Sequence, residues 1–343
     1  MQAEEERYRL AMTLAASGEY EKAANELIAL KEVPEIAPIC DYQLAVLSNI
    51  IGDPEAAYEL FYQAFTALPY LCSIVLSADH ENRGYFFLEK KEEIKRTDCP
   101  LCAQPAKPHW CYSMVEADGY NDFFNPIRMW MYCERCHHLF ARHFPEKLFL
   151  YNNSPRMANP TVFPYYSRIL GNIRDKGFAT GMDLLEVGIG ACECVLAARE
   201  IGYTTFGIDV IERHVTDAKQ RYGLDAETAD FNDYTTDKKW DIIIMGDVLE
   251  HVSDPEQALH KACALLNDDG AVWISTPSFD SAFSMIAGHN DPMRRQVYHL
   301  NYFSRDSLYM LLERCGLAPV DYQISSHYNG SMEVTAVKRG RFS

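Results

Sequence analysis

The sequence predicts an α/β protein. A doubly wound, largely parallel sheet spans residues 158–343, behind an α-helical segment at 1–80 and a small four-cysteine ribbon at 98–150. Three observations predict this: strand-like and helix-like runs alternate through the second half, the first 70 residues repeat with a shift of 34, and two Cys-x-x-Cys pairs lie between. At 343 residues, with 48% apolar and 12% aromatic side chains, the chain can fill two or three cores, which excludes wholesale disorder.

The helical segment rests on its repeat. "LAASGEYEKAANELIAL" superposes on "LSNIIGDPEAAYELFYQAF", so that Gly18 falls on Gly52, Ala23 on Ala57, Leu27 on Phe61 and Leu30 on Ala64. Each unit reads as helix, turn, helix, with the glycine breaking the chain and the small alanine letting two helices approach. The 34-residue period, with Pro69 closing the second unit, resembles tetratricopeptide repeats. Two units bury too little by themselves and are expected to lean on a neighbour. A protein-docking surface and a plain helical cap both fit.

The ribbon rests on Cys99, Cys102, Cys133 and Cys136. A Cys-x-x-Cys knuckle points two thiolates at one metal, and two knuckles complete a tetrahedral four-sulfur site suited to structural Zn²⁺. The aromatic spacer, with a turn signal at Asp118-Gly119, would form the hairpin between them. Iron is the alternative metal, and His109, Cys111, His137 or His138 could replace one ligand.

The sheet domain rests on seven strand-like runs: "MDLLEVGI", "TTFGIDV", "AETAD", "WDIIIMGDV", "GAVWISTP", "LAPVDYQIS" and "MEVTAVKR". Helices follow the first, second, fourth and fifth. One begins after Ser253 with Pro255 in its first turn, and another runs from a Ser304 cap to Gly316. Ligands of such sheets sit beyond the strands' carboxyl ends, where the strand order reverses.

Charge and cysteine usage bound the partners. A formal charge of −17, from 49 acidic against 32 basic residues, disfavours nucleic acid and anionic membrane. The start, "MQAEEERYRL", lacks a signal-peptide core, and no run is apolar enough to span a bilayer. Eleven cysteines without an export signal point to thiols or metal ligands in a cytoplasmic protein.

The turn after the first strand decides the ligand. In "LLEVGIGACECV" a dinucleotide fingerprint would need glycine at 193, where the chain has Glu193, so a pyrophosphate is excluded. Glu186-x-Gly188-x-Gly190 instead resembles motif I of the class I S-adenosylmethionine-dependent methyltransferases of small-molecule type. Four further motifs follow in that family's order: "FGID" ending in Asp209, "ADF" with Asp230 and Phe231, "DIIIMGDVLEHV" with Gly246 and Asp247, and "LLNDDGAVWISTP". The resemblance covers residues 158 to the end and implies a Rossmann-like, seven-stranded methyltransferase sheet. It also implies S-adenosylmethionine as cofactor, with Glu186 near the methionine ammonium, Asp209 on the ribose, Asp230 and Phe231 at the adenine, and Asp247 at the methionine end or the acceptor. Cys192 stands where the family uses a small residue. A tolerated binding-turn cysteine and a helix-activated thiol are the two readings.

Methyl transfer needs positioning and, for a protonated nucleophile, a base. His299, in "YHLNYFS", is the favoured base, with His251 second and Tyr298 or Tyr302 as lining groups. "HLNYFS" behind a zinc module also resembles the C-methyltransferases of nucleotide-linked deoxysugars, although Gln296 to Tyr298 depart from their pattern. The expected reaction is O- or N-methylation of a small, sugar-like or other hydroxylated acceptor, with the repeats as a possible protein-docking surface. The competing readings are a catalytically weak methyltransferase-fold scaffold, and an rRNA methyltransferase, against which the acidic charge counts.

Overall fold

The computed structural model describes residues 2–117, 119–146 and 158–339. Asp118 of the turn signal, and residues 147–150 and 340–343 at the ends of the two assigned segments, lie outside the described residues. Among the described residues, no helix is long and apolar enough to cross a membrane.

Helices α1 (Gln2–Ala16), α2 (Tyr20–Leu30), α3 (Ala37–Ile50) and α4 (Pro54–Ala67) form two hairpins, followed by the short α5 (Cys72–Val75). Gly18 and Gly52 turn the chain between partners at φ +82° and +88°, a region that costs glycine nothing. Asp53 caps α4 by accepting from Ala56 N–H (3.0 Å), and Pro54 takes the first position, where no amide hydrogen is needed. The aligned Ala23 and Ala57 are both fully buried. The second hairpin leans on the next segment: Asn49 brackets Cys111, its amide donating to the Cys111 carbonyl while Cys111 N–H donates to its Oδ1 (2.9 Å).

Strands β1 (Ile94–Lys95), β2 (Lys107–Ser113), β3 (Ile127–Cys133), β4 (His138–Ala141) and β5 (His143–Phe144) build the ribbon. β2, β3 and β4 are antiparallel neighbours, and β1 pairs with β5.

Beyond α6 (Phe163–Asp175) the alternating units appear: β6 (Asp183–Val187), α7 (Glu193–Ile201), β7 (Thr204–Asp209), α8 (Glu212–Tyr222), β8 (Ala226–Thr228), β9 (Trp240–Gly246), α9 (Pro255–Leu265) and β10 (Leu266–Pro277). Then come α10 (Ala282–Ala287), α11 (Pro292–Arg295), β11 (Asn301–Tyr302), α12 (Arg305–Arg314), β12 (Leu317–Ile324) and β13 (Ser331–Lys338). The seven-stranded sheet has the order β12-β13-β10-β9-β6-β7-β8. β6 to β10 run parallel, and β13 is antiparallel to both of its neighbours. Strand order reverses between β6 and β9, so a crevice opens beyond their carboxyl ends.

One connection was not legible in the sequence. β11 leaves the sheet domain and pairs with β4, becoming the fourth strand of the ribbon sheet, with Asn301 opposite Phe140 and Tyr302 opposite Leu139. The principal core is accordingly continuous, from Phe61 and Phe65 in α4 through Trp130 and Phe140 in the ribbon to Leu308 and Val334 in the sheet domain.

Candidate functional site

The turn after β6 is built for close approach. Gly188, Gly190 and Cys192 have φ of +77°, +49° and +73°. A Cβ on Gly188 would come within 3.1 Å of Val248 on the neighbouring loop. Glu186 is the last but one residue of β6 and is 6% exposed, and its Oε2 has no hydrogen-bond partner. Burial pushes its carboxyl well above the usual carboxylate range, against the Val195 amide that holds it down. A buried acceptor left open at the mouth of the turn suits an ammonium group, so the turn fits the methionine end of S-adenosylmethionine.

Asp209, at the end of β7, accepts from Gly190 N–H (2.9 Å), Ile211 N–H (2.8 Å) and His214 Nδ1 (3.2 Å). It therefore braces the glycine turn, and only part of its acceptor capacity is left for a ribose. Asp230 is exposed beyond β8. Phe231 is 5% exposed and packs into the principal core beside it.

Cys192 is buried, at 1% exposed. Burial, with the nearby Glu186, Glu193 and Asp209 carboxylates, pushes it up to about 12, so the helix amino terminus does not activate it.

Across the crevice, Asp247 follows β9 in a left-handed conformation (φ +53°), accepts from Ser275 Oγ (2.9 Å), and is pushed up to about 6 by burial. The sequence-selected histidines meet here, with ring centroids 4.9 Å apart. His251 Nδ1 donates to the Tyr298 carbonyl (3.1 Å) and His299 Nδ1 to the Met293 carbonyl (2.9 Å), which leaves Nε2 as the nitrogen that titrates in each ring; that of His251 lies 4.0 Å from Glu250 Oε1. His299 is 5% exposed and held well below the usual histidine range by burial and by His251. His251 retains 25% side-chain exposure. Tyr298 is half-buried and accepts through Oη from Asn121 Nδ2 (2.6 Å). Tyr302 does not line the site: it is fully buried and donates to Asp291 (2.5 Å) beside Ser284.

Three further groups escaped the sequence reading. Glu250, inside the quoted "LEHV", is 1% exposed, accepts from Thr276 Oγ1 (2.9 Å), and comes within 4.8 Å of the histidine nitrogens. Tyr165 and Tyr166 of α6 lie near these carboxylates: burial, with Glu333 and Asp247, raises Tyr165, and burial, with Cys194, Glu186, Glu193 and Asp247, raises Tyr166. No motif marks them, because α6 reaches the site only through tertiary packing.

The four ribbon thiols converge, every sulfur lying within 4.8 Å of the others and Cys102 Sγ 3.6 Å from Cys133 Sγ. Each knuckle ends on a positive-φ residue, Ala103 (+53°) and His137 (+51°), and Leu101 N–H points at Cys99 Sγ (3.4 Å). This donor set fits a tetrahedral metal ion. Cys111, His109, His137 and His138 are not in the cluster.

Residues 156–322 match the family model of a methyltransferase domain. The ubiquinone biosynthesis O-methyltransferase of Cereibacter sphaeroides is 28% identical over 153 residues, covering 41% of this chain and 62% of that protein. The protein of the same name from Ruegeria pomeroyi is 26% identical over 182 residues, covering 48% and 73%. The chain thus spans less than two thirds of the length of the first relative. Among solved structures, N-methyltransferase NodS from Bradyrhizobium japonicum, in complex with S-adenosyl-L-homocysteine, is 16% identical at TM-score 0.44, covering 55% of this chain and 94% of that one. Magnesium protoporphyrin IX methyltransferase from Synechocystis is 15% identical at TM-score 0.45, covering 54% and 90%.

Proposed function

We propose that this protein is an S-adenosylmethionine-dependent methyltransferase acting on a small molecule, with an ionisable hydroxyl as the acceptor group. The open Glu186 carboxyl at the glycine turn carries the reading: it costs the empty fold stability and repays that cost with a cationic ligand. Gly188 and Gly190 let the ligand reach the backbone, Asp209 orders the turn and takes the ribose, and Asp230 with Phe231 bounds the adenine side. Asp247 sits between the methionine end and the acceptor.

When bound, the cofactor supplies an electrophilic methyl carbon, and the protein holds the acceptor in line with it and accepts its proton. The proposed base is His251, through Nε2, since the Tyr298 carbonyl engages Nδ1 and Glu250 Oε1 lies 4.0 Å from Nε2 to receive the imidazolium charge. His299, expected from sequence to be the base, packs behind it, too buried and too weakly basic to meet an acceptor. Tyr298 lines the acceptor side. The four cysteines hold Zn²⁺ as a structural staple, and the helical hairpins are tetratricopeptide-like repeats packed against the ribbon.

Titration with S-adenosylhomocysteine by calorimetry tests the cofactor assignment. Micromolar binding, lost in Asp209→Ala, is expected, and failure of folded, metal-loaded protein to bind would overturn it. Methyl transfer to hydroxylated acceptors from labelled cofactor then tests the base: His251→Ala should lower kcat about 10²–10⁴-fold, the usual scale for a general base.

A further inference from the structure

The segment 294–301 carries Tyr298 and His299 and lies between the loop after β9 and the ribbon. On the β9 side, Leu300 N–H and Asn301 N–H both donate to the Glu250 carbonyl (2.7 and 3.1 Å). On the ribbon side, Trp130 Nε1–H donates to the Arg294 carbonyl (3.1 Å), and the Phe124 ring meets Tyr298 edge-on at 5.3 Å.

The central contact is Arg128 of β3. Its side chain is 2% exposed, and its guanidinium donates to the carbonyls of His299 (2.5 Å) and Val297 (2.8 Å), two residues apart. The carbonyl between them, that of Tyr298, is the one that accepts from His251 Nδ1. Three consecutive carbonyls therefore serve one arrangement, in which Arg128 grips the outer two and the inner one fixes the His251 ring.

Burying a guanidinium against neutral carbonyls is costly, and an apolar side chain of similar volume would pack the same space. What the guanidinium adds is a rigid fork of donors that sets two carbonyl directions at once. We infer that Arg128 is a positioning residue: from the four-cysteine ribbon it fixes the main chain at 297–299, and through it the orientation and tautomer of the His251–His299 pair. The ribbon is then a wall of the reaction site. The purpose of this device rests on the methyltransferase reading, but its geometry does not.

The test uses the full-length, metal-loaded protein. Imidazole ¹⁵N spectra of wild type, Arg128→Met and Arg128→Lys are compared, with the two rings assigned by their absence from His251→Gln and His299→Gln. In the wild type each ring is expected as a single Nδ1–H tautomer. Arg128→Met should lose this for His251, giving a tautomer mixture, and should let His299 begin to titrate towards the ordinary value of about 6.5. Arg128→Lys, with a single compact cation, should rescue part of the tautomer preference. S-adenosylhomocysteine affinity should stay within about twofold in both variants, because the glycine turn shares no partner with Arg128. Unchanged histidine spectra in Arg128→Met overturn the inference. If that variant does not fold, unchanged spectra in Arg128→Lys do so. Failure of the wild type to bind S-adenosylhomocysteine would remove the methyltransferase reading while leaving the histidine readout intact.

Discussion

Replacing Glu186 by glutamine separates a ligand-binding carboxylate from a structural one. In the empty protein the side chain is 6% exposed and its Oε2 has no partner, while the Val195 amide engages the carboxyl. Glutamine keeps an acceptor for that amide and removes a charge that burial already disfavours. The empty variant should therefore melt at or above the wild-type temperature. Cofactor binding should suffer, because a hydrogen bond to a charged group contributes about 1.5–3 kcal/mol. At about 1.4 kcal/mol per tenfold, that is a loss of roughly 10- to 150-fold in affinity for S-adenosylhomocysteine. A second signature follows from the raised carboxyl: an arriving ammonium favours its ionised form, so binding to wild type releases protons, and the calorimetric enthalpy should vary with the buffer's ionisation enthalpy. In Glu186→Gln that contribution should vanish. A variant that binds within twofold of wild type but melts lower would refute the reasoning and make Glu186 a helix cap.

Three further outcomes are expected. Asp247 has its carboxyl raised from 3.8 to about 6 in the fold, so the protonated form is favoured there; its contribution to stability is present below pH 4 and is lost as pH rises through 6. Asp247→Asn should therefore stabilise the empty protein at pH 7, and cofactor binding, expected to weaken in the wild type as pH falls below 6, should lose that dependence in the variant, both measurable by melting and calorimetry across pH. Elemental analysis should find one zinc per chain, and Cys133→Ser should lose the metal with a large drop in melting temperature; iron in its place, or a full complement of zinc in the variant, would contradict the assignment. Cys192→Gly should preserve methyl transfer and leave stability within about 1 kcal/mol, because glycine relieves a left-handed backbone at +73° while the buried side chain's packing is lost; loss of activity with the fold intact would restore a role for the thiol.

What the sequence by itself determined is local. The period-two and period-3.6 patterns, the glycine turn with Glu186 before it, Asp209 at the next strand end and the two Cys-x-x-Cys knuckles each depend on residues a few positions apart, where backbone geometry dictates direction. The seven-stranded sheet follows from those patterns and their right-handed connections. What only the tertiary structure decided involves partners far apart in the chain. His251 and His299 become a pair because Glu250's carbonyl holds the Leu300 and Asn301 amides. Which of them stays accessible depends on burial, and burial depends on the ribbon packed over residue 299. Arg128, 171 positions earlier in sequence, carries no motif, since its meaning lies in two carbonyls that any residues could supply. Main-chain groups are the same at every position, so a site held by them leaves no signature until the chain has folded.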